Sequence, residues 1–344
     1  MIALTGGGTG GHLAVVAAVK EALNDMGIKP LYIGSTAGQD QAWFSEATGF
    51  SDVVFLKSRS VVNRNFIFKF FALINILRRS REAKKILQAH KVKAVLSVGG
   101  YSAAPAAFAA VRLKLPLVIH EQNAHAGALN SLLAPFAKAV FSSFDTKSPS
   151  ANYPIKSIFF EKMRIRSKVK TVIFLGGSQG ARAINEYAKQ TAKMLQKYDI
   201  KIIHQCGKRD LEDMLAFYAE EHIDADCFDF DPNLADRLAN ADLAVARAGA
   251  GTMFELAANA LPALFVPYPH AAGNHQMANA KFLSEKELSW CVDQAHLTPE
   301  MLEALLGAEL HEMSLLLSGL INKNGAKEIV QYLIALCKKP KVGL

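Results

Sequence analysis

Two stretches of this chain repeat one construction, and the repeat limits the folds open to it. Ile2-Ala3-Leu4-Thr5 is apolar or β-branched and reads as a short buried strand. Gly6-Gly7-Gly8-Thr9-Gly10-Gly11-His12 follows, and Leu13 to Leu23 then carries apolar residues at helical spacing, with Lys20 and Glu21 facing out. Near mid-chain, Lys170 to Leu175 reads as a strand, Gly176-Gly177-Ser178-Gln179-Gly180-Ala181-Arg182 as its loop, and a helix comes next. Glycine lets a backbone approach an anion closely. The helix start behind it offers unpaired N–H groups and partial positive charge. Strand, glycine loop and helix in this order read as a nucleotide or phosphate cradle, the alternative being a tight turn that holds no ligand.

Between and after these units, strands alternate with helices. Strands are expected at 30–34, 93–98, 115–119, 200–204, 227–230, 243–246 and 263–266, with residues 35–49 as a loop and short helix. This rhythm makes an α/β protein of doubly wound parallel sheets, whose ligands bind at the carboxyl ends of the strands. Residues 144–170 lose the rhythm and are rich in Lys, Ser and Pro, so the interdomain linker is placed there. A length of 344 residues fits two domains. They are expected at 1–155, completed by the C-terminal helix over 325–344, and at 156–324, as two Rossmann-like domains facing each other.

The four cysteines show neither metal nor redox spacing, which points to reduced thiols and a cytosolic setting. No signal peptide is expected, because the first apolar run stops in glycines, and no apolar run approaches the ~20 residues of a membrane span. The net charge of +8 points to an anionic partner. Most of that charge lies in residues 63–85, where seven cations and one acid accompany nine large apolar residues. Phe66, Phe70, Phe71 and Ile74 beside Arg78, Arg79 and Arg81 have the composition of a helix that lies on an anionic membrane surface. A core helix followed by a solvated basic turn is the alternative. No nucleic-acid motif accompanies the charge, so no nucleic acid is expected as a partner.

Six motifs then occur in one order: GGTGGH at 7–12, GGYSAAP at 99–105, HEQNA at 120–124, GGSQGA at 176–181, RAGAGTMFELA at 247–257 and NHQMANA at 274–280. Over residues 1–290 the chain closely resembles the MurG family, the UDP-N-acetylglucosamine transferases of bacterial peptidoglycan synthesis. The resemblance implies a GT-B fold, two Rossmann-like domains across a cleft. It implies an inverting transfer of N-acetylglucosamine from UDP-GlcNAc to the 4-hydroxyl of undecaprenyl-diphosphate-linked N-acetylmuramyl pentapeptide. The donor would be held by the C-terminal domain and the lipid acceptor by the N-terminal one, at the cytoplasmic face of the cell membrane. Cell-wall synthesis proteins are further candidate partners.

Carried over residue by residue, the resemblance implies donor contacts at Thr9, Gly10, Gly11, Asn123, Lys156, Ser178, Gln179, Phe230, Asp231, Arg247, Ala250, Gly251, Thr252, Glu255 and Gln276. It implies acceptor contacts at His12, Tyr101, His120 and Asn123. Two positions depart from the family pattern. Tyr153-Pro154-Ile155-Lys156 replaces Asn-Pro-Val-Arg, and Lys lacks the planar fork of Arg. Asp231 replaces a common Ile.

The acceptor hydroxyl needs a base, and the departing diphosphate needs positive partial charge. His12 is the candidate base, since a histidine titrates near pH ~6.5 and its neutral form is present at working pH. The alternative is a histidine that only hydrogen-bonds a phosphate or the loop. Gly176 to Arg182 would bring backbone N–H groups and the Ser178 hydroxyl to the donor phosphates. Glu255 suits ribose hydroxyls. Asp229-Phe230-Asp231 has the D-x-D form that holds Mn²⁺ or Mg²⁺ elsewhere, but it precedes Pro232 at a strand end, and neither metal nor cofactor is expected. Rival readings are another UDP-sugar enzyme such as an epimerase or lipid disaccharide synthase, a nucleotide sensor without turnover, and a NAD-dependent oxidoreductase. The last calls for an acid at the end of the second strand, and Tyr32-Ile33-Gly34-Ser35 offers none before Asp40.

Overall fold

The computed structural model describes residues 1–58, 66–177, 180–231, 233–321 and 323–338, with the backbone alone for 66–73. The chain divides into two compact units, one of Met1–Lys156 joined by the segment from Lys323, the other of Ser157–Asn322. The first unit runs β1 (Ile2–Thr5), α1 (Gly10–Asn24), β2 (Leu31–Ser35), α2 (Asp40–Phe44), β3 (Asp52–Leu56), α3 (Phe66–Ala89), β4 (Ala94–Ser97), α4 (Ala104–Arg112), β5 (Leu117–Glu121), α5 (Ala128–Leu133) and β6 (Ala139–Ser142). The second runs α6 (Ile158–Glu161), β7 (Thr171–Leu175), α7 (Arg182–Lys197), β8 (Lys201–Gln205), α8 (Leu211–Glu220), β9 (Ala225–Phe228), α9 (Leu234–Asn240), β10 (Leu243–Ala246), α10 (Ala250–Ala258), β11 (Ala263–Phe265), α11 (His275–Ser284), β12 (Trp290–Cys291), α12 (Pro299–Leu306) and α13 (His311–Leu320). Then α14 (Gly325–Lys338) returns to the first unit.

Both sheets are parallel and six-stranded, in the orders β3-β2-β1-β4-β5-β6 and β12-β11-β10-β7-β8-β9. Each unit therefore starts at the centre of its sheet, winds outward, then crosses back to wind the other way. The winding reverses between β1 and β4 in one unit and between β7 and β10 in the other, and an open α/β sheet binds its ligands at such a point. The register matters here. Thr5 lies opposite Ser97, and Leu175 opposite Ala246, so the strands that flank each reversal end level.

The expected strands are present, most with ends shifted by one or two residues. The expectation missed β3, β6 and β12. All three are sheet edges and none is fully buried; β12 is two residues long, while β3 and β6 carry apolar runs as long as those of β1 and β4 but with no glycine loop behind them.

Lys20 and Glu21 do not simply face out. Helix α1 packs on α14 as well as on the sheet, and both side chains are half-buried. The Lys20 ammonium donates to the Thr48 carbonyl at 3.1 Å and lies over the Phe50 ring. The returning helix is held by Asn152 Nδ2, which donates to Glu328, and by the Tyr332 hydroxyl, which donates to the Lys138 carbonyl at 3.1 Å.

The stretch read as a linker does more than connect. Arg166 is fully buried, and its guanidinium donates to the carbonyls of Leu238, Ala241, Arg164 and Asn259 and to Asn259 Oδ1. Arg164 donates to the Ala239 and Ala241 carbonyls and to Asp242 Oδ1 at 2.7 Å. The carbonyls of Leu238, Ala239, Ala241 and Asn259 lie at the ends of α9 and α10, where a cation is also favoured by the helix dipoles. Removing Arg166 would strand several buried acceptors. Arg166→Ala is expected to cost about 3–5 kcal/mol, since each buried acceptor left without a donor costs about 1–3 kcal/mol. Urea unfolding of parent and variant checks this; coincident midpoints would show that water replaces the guanidinium at little cost.

Candidate active site

At the reversal point of the first unit, the loop after β1 meets the loops after β2 and β4. Asp40, the first residue of α2, is fully buried and joins all three. Its Oδ2 accepts from the Gly8 amide at 2.6 Å. Its Oδ1 accepts from the Ser35 amide at 2.9 Å, from the Tyr32 hydroxyl at 3.1 Å and from the Ser102 hydroxyl. Burial, and then Asp40, push the Tyr32 phenol well above its ordinary range. Tyr101 lies on the same knot. A Cβ on Gly8, whose φ is +86°, would stand 2.6 Å from the Tyr101 ring. Asp40 was not among the candidate residues; a lone acid after a strand carries no motif. Its carboxylate, turned inward onto Gly8, also removes the one acid that a NAD reading needed near the second strand.

The Gly8 amide is thus committed to a carboxylate, and the cradle narrows to the first turn of α1. There the Thr9 hydroxyl and His12 Nδ1 are 2.7 Å apart. Gly100, at φ +76°, borders the same ring: a Cβ there would collide with the Gly7 carbonyl and stand 3.6 Å from His12 Cε1.

The loop after β5 carries His120, Glu121, Gln122 and Asn123. His120 is 1% exposed and edge-on to the Tyr153 ring at 5.3 Å. Burial, helped by His12, pushes it down to about 3, so it is neutral. The expected acceptor contact thus falls on a side chain enclosed among the unit's own residues. Glu121 closes the loop as Asp40 closes the first: it accepts from the Asn123 and Gly127 amides and from Asn130 Nδ2 at 2.8 Å. Asn123 is half-buried at the turn so formed.

In the second unit the loops after β7, β10 and β11 leave neighbouring strands. Ala250, Gly251 and Thr252 form the first turn of α10, with Glu255 half-buried one turn on. Asn279 Nδ2, on α11, donates to the Ala248 carbonyl and braces this loop. Arg247 donates to the carbonyls of Val266 and Pro267 and to Gln294 Oε1 at 2.7 Å, so it ties the β10 loop to the β11 loop. Gln276 Oε1 accepts from the Tyr268 amide at 2.9 Å, which fixes the amide orientation and leaves its nitrogen as the outward donor.

Phe230 is 51% exposed, at the end of the β9 loop. Asp231 accepts from Arg237 Nε at 2.5 Å and from the Asn233 amide, and these bonds hold its carboxyl below the usual range. Asp229 accepts from the Phe230 amide. The D-x-D carboxylates are thus engaged with protein donors, and among the described residues no cluster of metal ligands is found.

Other candidates lie elsewhere. Lys156 lines a pocket of about 360 Å³ with Lys20, Asn24, Trp43 and Phe44. Lys20 is ten residues along α1 from Gly10, roughly 15 Å at helical rise. Ser178 and Gln179, and the side chains of Phe66, Phe70 and Phe71, lie outside the described residues. On α3, Ile76, Ser80, Ala83 and Leu87 are buried, and the helix packs on α4. Ile74, Leu77, Arg78 and Arg81 are exposed on the opposite stripe, while Arg79 pairs with Glu82 at 2.8 Å.

The glycosyltransferase family 28 N-terminal domain matches residues 2–142, and the family 28 C-terminal domain matches residues 171–332. A UDP-N-acetylglucosamine–N-acetylmuramyl-(pentapeptide) pyrophosphoryl-undecaprenol N-acetylglucosamine transferase of Campylobacter jejuni (strain RM1221) is 49% identical over 332 residues, 96% of this chain and 96% of its own. The chain belongs to the MurG family. A transferase of the same name from Wolinella succinogenes is 46% identical, over 97% of this chain and 99% of its own. The crystal structure of Acinetobacter baumannii MurG aligns with a TM-score of 0.77 at 29% identity, covering 97% of this chain and 99% of that one. Two family 28 domains, each built on a parallel six-stranded sheet, make the fold α/β of the GT-B class.

Each unit of this MurG-family chain buries one neutral histidine. His204, on β8, lies between the Tyr218 hydroxyl at 3.0 Å and Asn185 Oδ1 at 3.1 Å. Burial, with Lys189 nearby, pushes it down to about 3. Unfolded, a histidine titrates near ~6.5. Between these limits the unfolded chain binds more protons, so stability is present above about pH 6.5 and is lost as pH falls toward 3. Each histidine contributes a slope approaching ~1.4 kcal/mol per pH unit. Urea midpoints read from Trp43 in one unit and Trp290 in the other should drop between pH 7 and 5; unchanged midpoints would mean that neither histidine is held neutral.

Proposed function

We infer that this chain is the transferase that moves N-acetylglucosamine from UDP-GlcNAc to the 4-hydroxyl of undecaprenyl-diphosphate-linked N-acetylmuramyl pentapeptide. The observation that carries the reading is the match to transferases of this name over 96% of both chains, with a histidine at the switch point of the first sheet. The first unit holds the lipid-linked acceptor. The second holds UDP-GlcNAc: the α10 N-terminus faces the diphosphate, Glu255 the ribose and Gln276 the sugar hydroxyls.

The chemistry follows from His12. With Nδ1–H donating to the Thr9 hydroxyl, Nε2 keeps its lone pair and accepts the proton of the acceptor hydroxyl. That oxygen attacks the anomeric carbon from the face opposite UDP, the bond to UDP breaks with its electron pair, and configuration inverts. The leaving diphosphate is stabilised by helix N-terminal amides, which need no metal. Labelled UDP-GlcNAc with the lipid-linked acceptor, followed by chromatography of the product, tests the reaction. His12→Ala is expected to lower turnover by roughly 10²–10⁴. A variant that keeps parental turnover would leave His12 a positioning role at most.

The acceptor's prenyl chain stays in the bilayer, so the enzyme works as a peripheral protein of the inner membrane face. Among the described residues no single helix is long and apolar enough to cross a membrane. The stripe of Ile74, Leu77, Arg78 and Arg81 supports docking through α3, since each cation near an anionic surface contributes about 1 kcal/mol. Delivery of wall precursor ties the enzyme to cell shape and division and makes cell-wall synthesis proteins its partners. Replacing Arg78, Arg79 and Arg81 by Ser should weaken binding to anionic vesicles, most at low salt, while turnover on a water-soluble acceptor analogue persists. Parental pelleting by the triple variant would place the membrane contact elsewhere.

A further inference from the structure

We propose that Asp40 is the positioning residue of the transfer, acting on turnover through His12. The proposal rests on the reading of His12 as the base. Asp40 touches neither substrate nor reacting atoms; it is fully buried beneath them. Its bonds join three separate pieces of chain: Gly8 from the loop that carries His12, Tyr32 and Ser35 from the end of β2, and Ser102 from the loop after β4.

Two of those pieces form the surroundings of His12. Gly8 lies four residues before it, with Thr9 and its 2.7 Å bond to Nδ1 directly after Gly8. Ser102 lies two residues after Gly100, where an added Cβ would stand 3.6 Å from His12 Cε1. The carboxylate therefore sets the distance between the strip of chain that bears the imidazole and the strip that walls it. No neutral residue of that size can do this, because three donors, the Gly8 and Ser35 amides and the Ser102 hydroxyl, point at its two oxygens, and the Tyr32 hydroxyl is shared between Oδ1 and the Gly6 carbonyl. An asparagine presents one oxygen and an NH₂ that faces donors. The room is also fixed: a Cβ on Gly7 would collide with the carboxylate, so the loop packs directly on it.

Asp40→Asn should lower kcat roughly 10–100-fold, the scale of a small misplacement of a reacting group. UDP affinity should stay at the parental value, because the uridine contacts belong to the second unit. Ser102→Ala removes one donor and leaves the carboxylate in place, and should lower kcat roughly 3–10-fold. It decides the question if Asp40→Asn does not fold, as judged by its urea transition. The decisive measurement is a double-mutant cycle. In a His12→Ala background, adding Asp40→Asn or Ser102→Ala should change the residual turnover by no more than about twofold, because the group they position is gone.

Parental kcat in both single variants would overturn the proposal. So would a full, additive loss in the His12→Ala background, which would mean that Asp40 supports the unit in general rather than His12. Parental turnover of His12→Ala itself would instead sink the reading of the base, a separate outcome seen before the cycle is built.

Discussion

Parallel strands cannot be joined by tight turns, and every connection must cross the sheet through a helix. A unit that begins at the centre of its sheet therefore sends its first and fourth strands' loops in opposite directions, and a crevice opens between them. In this chain the constraint acts twice, between β1 and β4 and between β7 and β10. Everything proposed for catalysis follows from it. His12 and Gly100 leave the two strands of one crevice; Gly176 to Gly180 and the start of α10 leave the two strands of the other.

Crevices of this kind must hold loops rich in glycine without letting them collapse, and buried charges do that here. Asp40 gathers donors from three loops, and Glu121 closes the loop after β5 with two amides and an asparagine. Asp242 accepts from the Lys170 and Thr171 amides, fixing the entry to β7. Arg166 collects carbonyls from the far ends of α9 and α10. A buried ionic group is costly alone, but each of these faces several partners of the opposite polarity. Such groups hold a unique backbone arrangement, which a catalytic loop needs more than it needs raw stability.

The central strands and the glycine loops were legible because their signals are local: a short apolar run, then residues that tolerate φ > 0. The edge strands β3, β6 and β12 were not: β12 is two residues long, and the apolar runs of β3 and β6 are not followed by a glycine loop. The motif residues around α10 and α11 could be named, yet their roles divided on folding. Arg247 proved a brace between two loops, and Gln276 is oriented by the Tyr268 amide. His120 stands in a motif beside Asn123, but period-two alternation along β5 turns it into the core and Glu121 onto the loop. Asp40 was illegible for a different reason. Its partners lie 5, 8, 32 and 62 residues away, so only the closed sheet brings them together.

The two glycine loops look alike in sequence and are held by opposite means. The first packs on a carboxylate, which takes the Gly8 amide that a phosphate would otherwise use. The second is held by neutral carbonyls: the Gly176 amide donates to the Gln205 carbonyl at 3.1 Å, and the Gly180 amide to the Gly177 carbonyl at 2.9 Å. A diphosphate that leaves gains negative charge, which the proposed reaction assigns to backbone amides of the second unit. In the proposed reaction the same strand–loop–helix unit is assigned proton removal in one domain and leaving-group stabilisation in the other. Among the described residues, what separates the two is that an acidic side chain accepts from Gly8, whereas backbone carbonyls accept from Gly176 and Gly180.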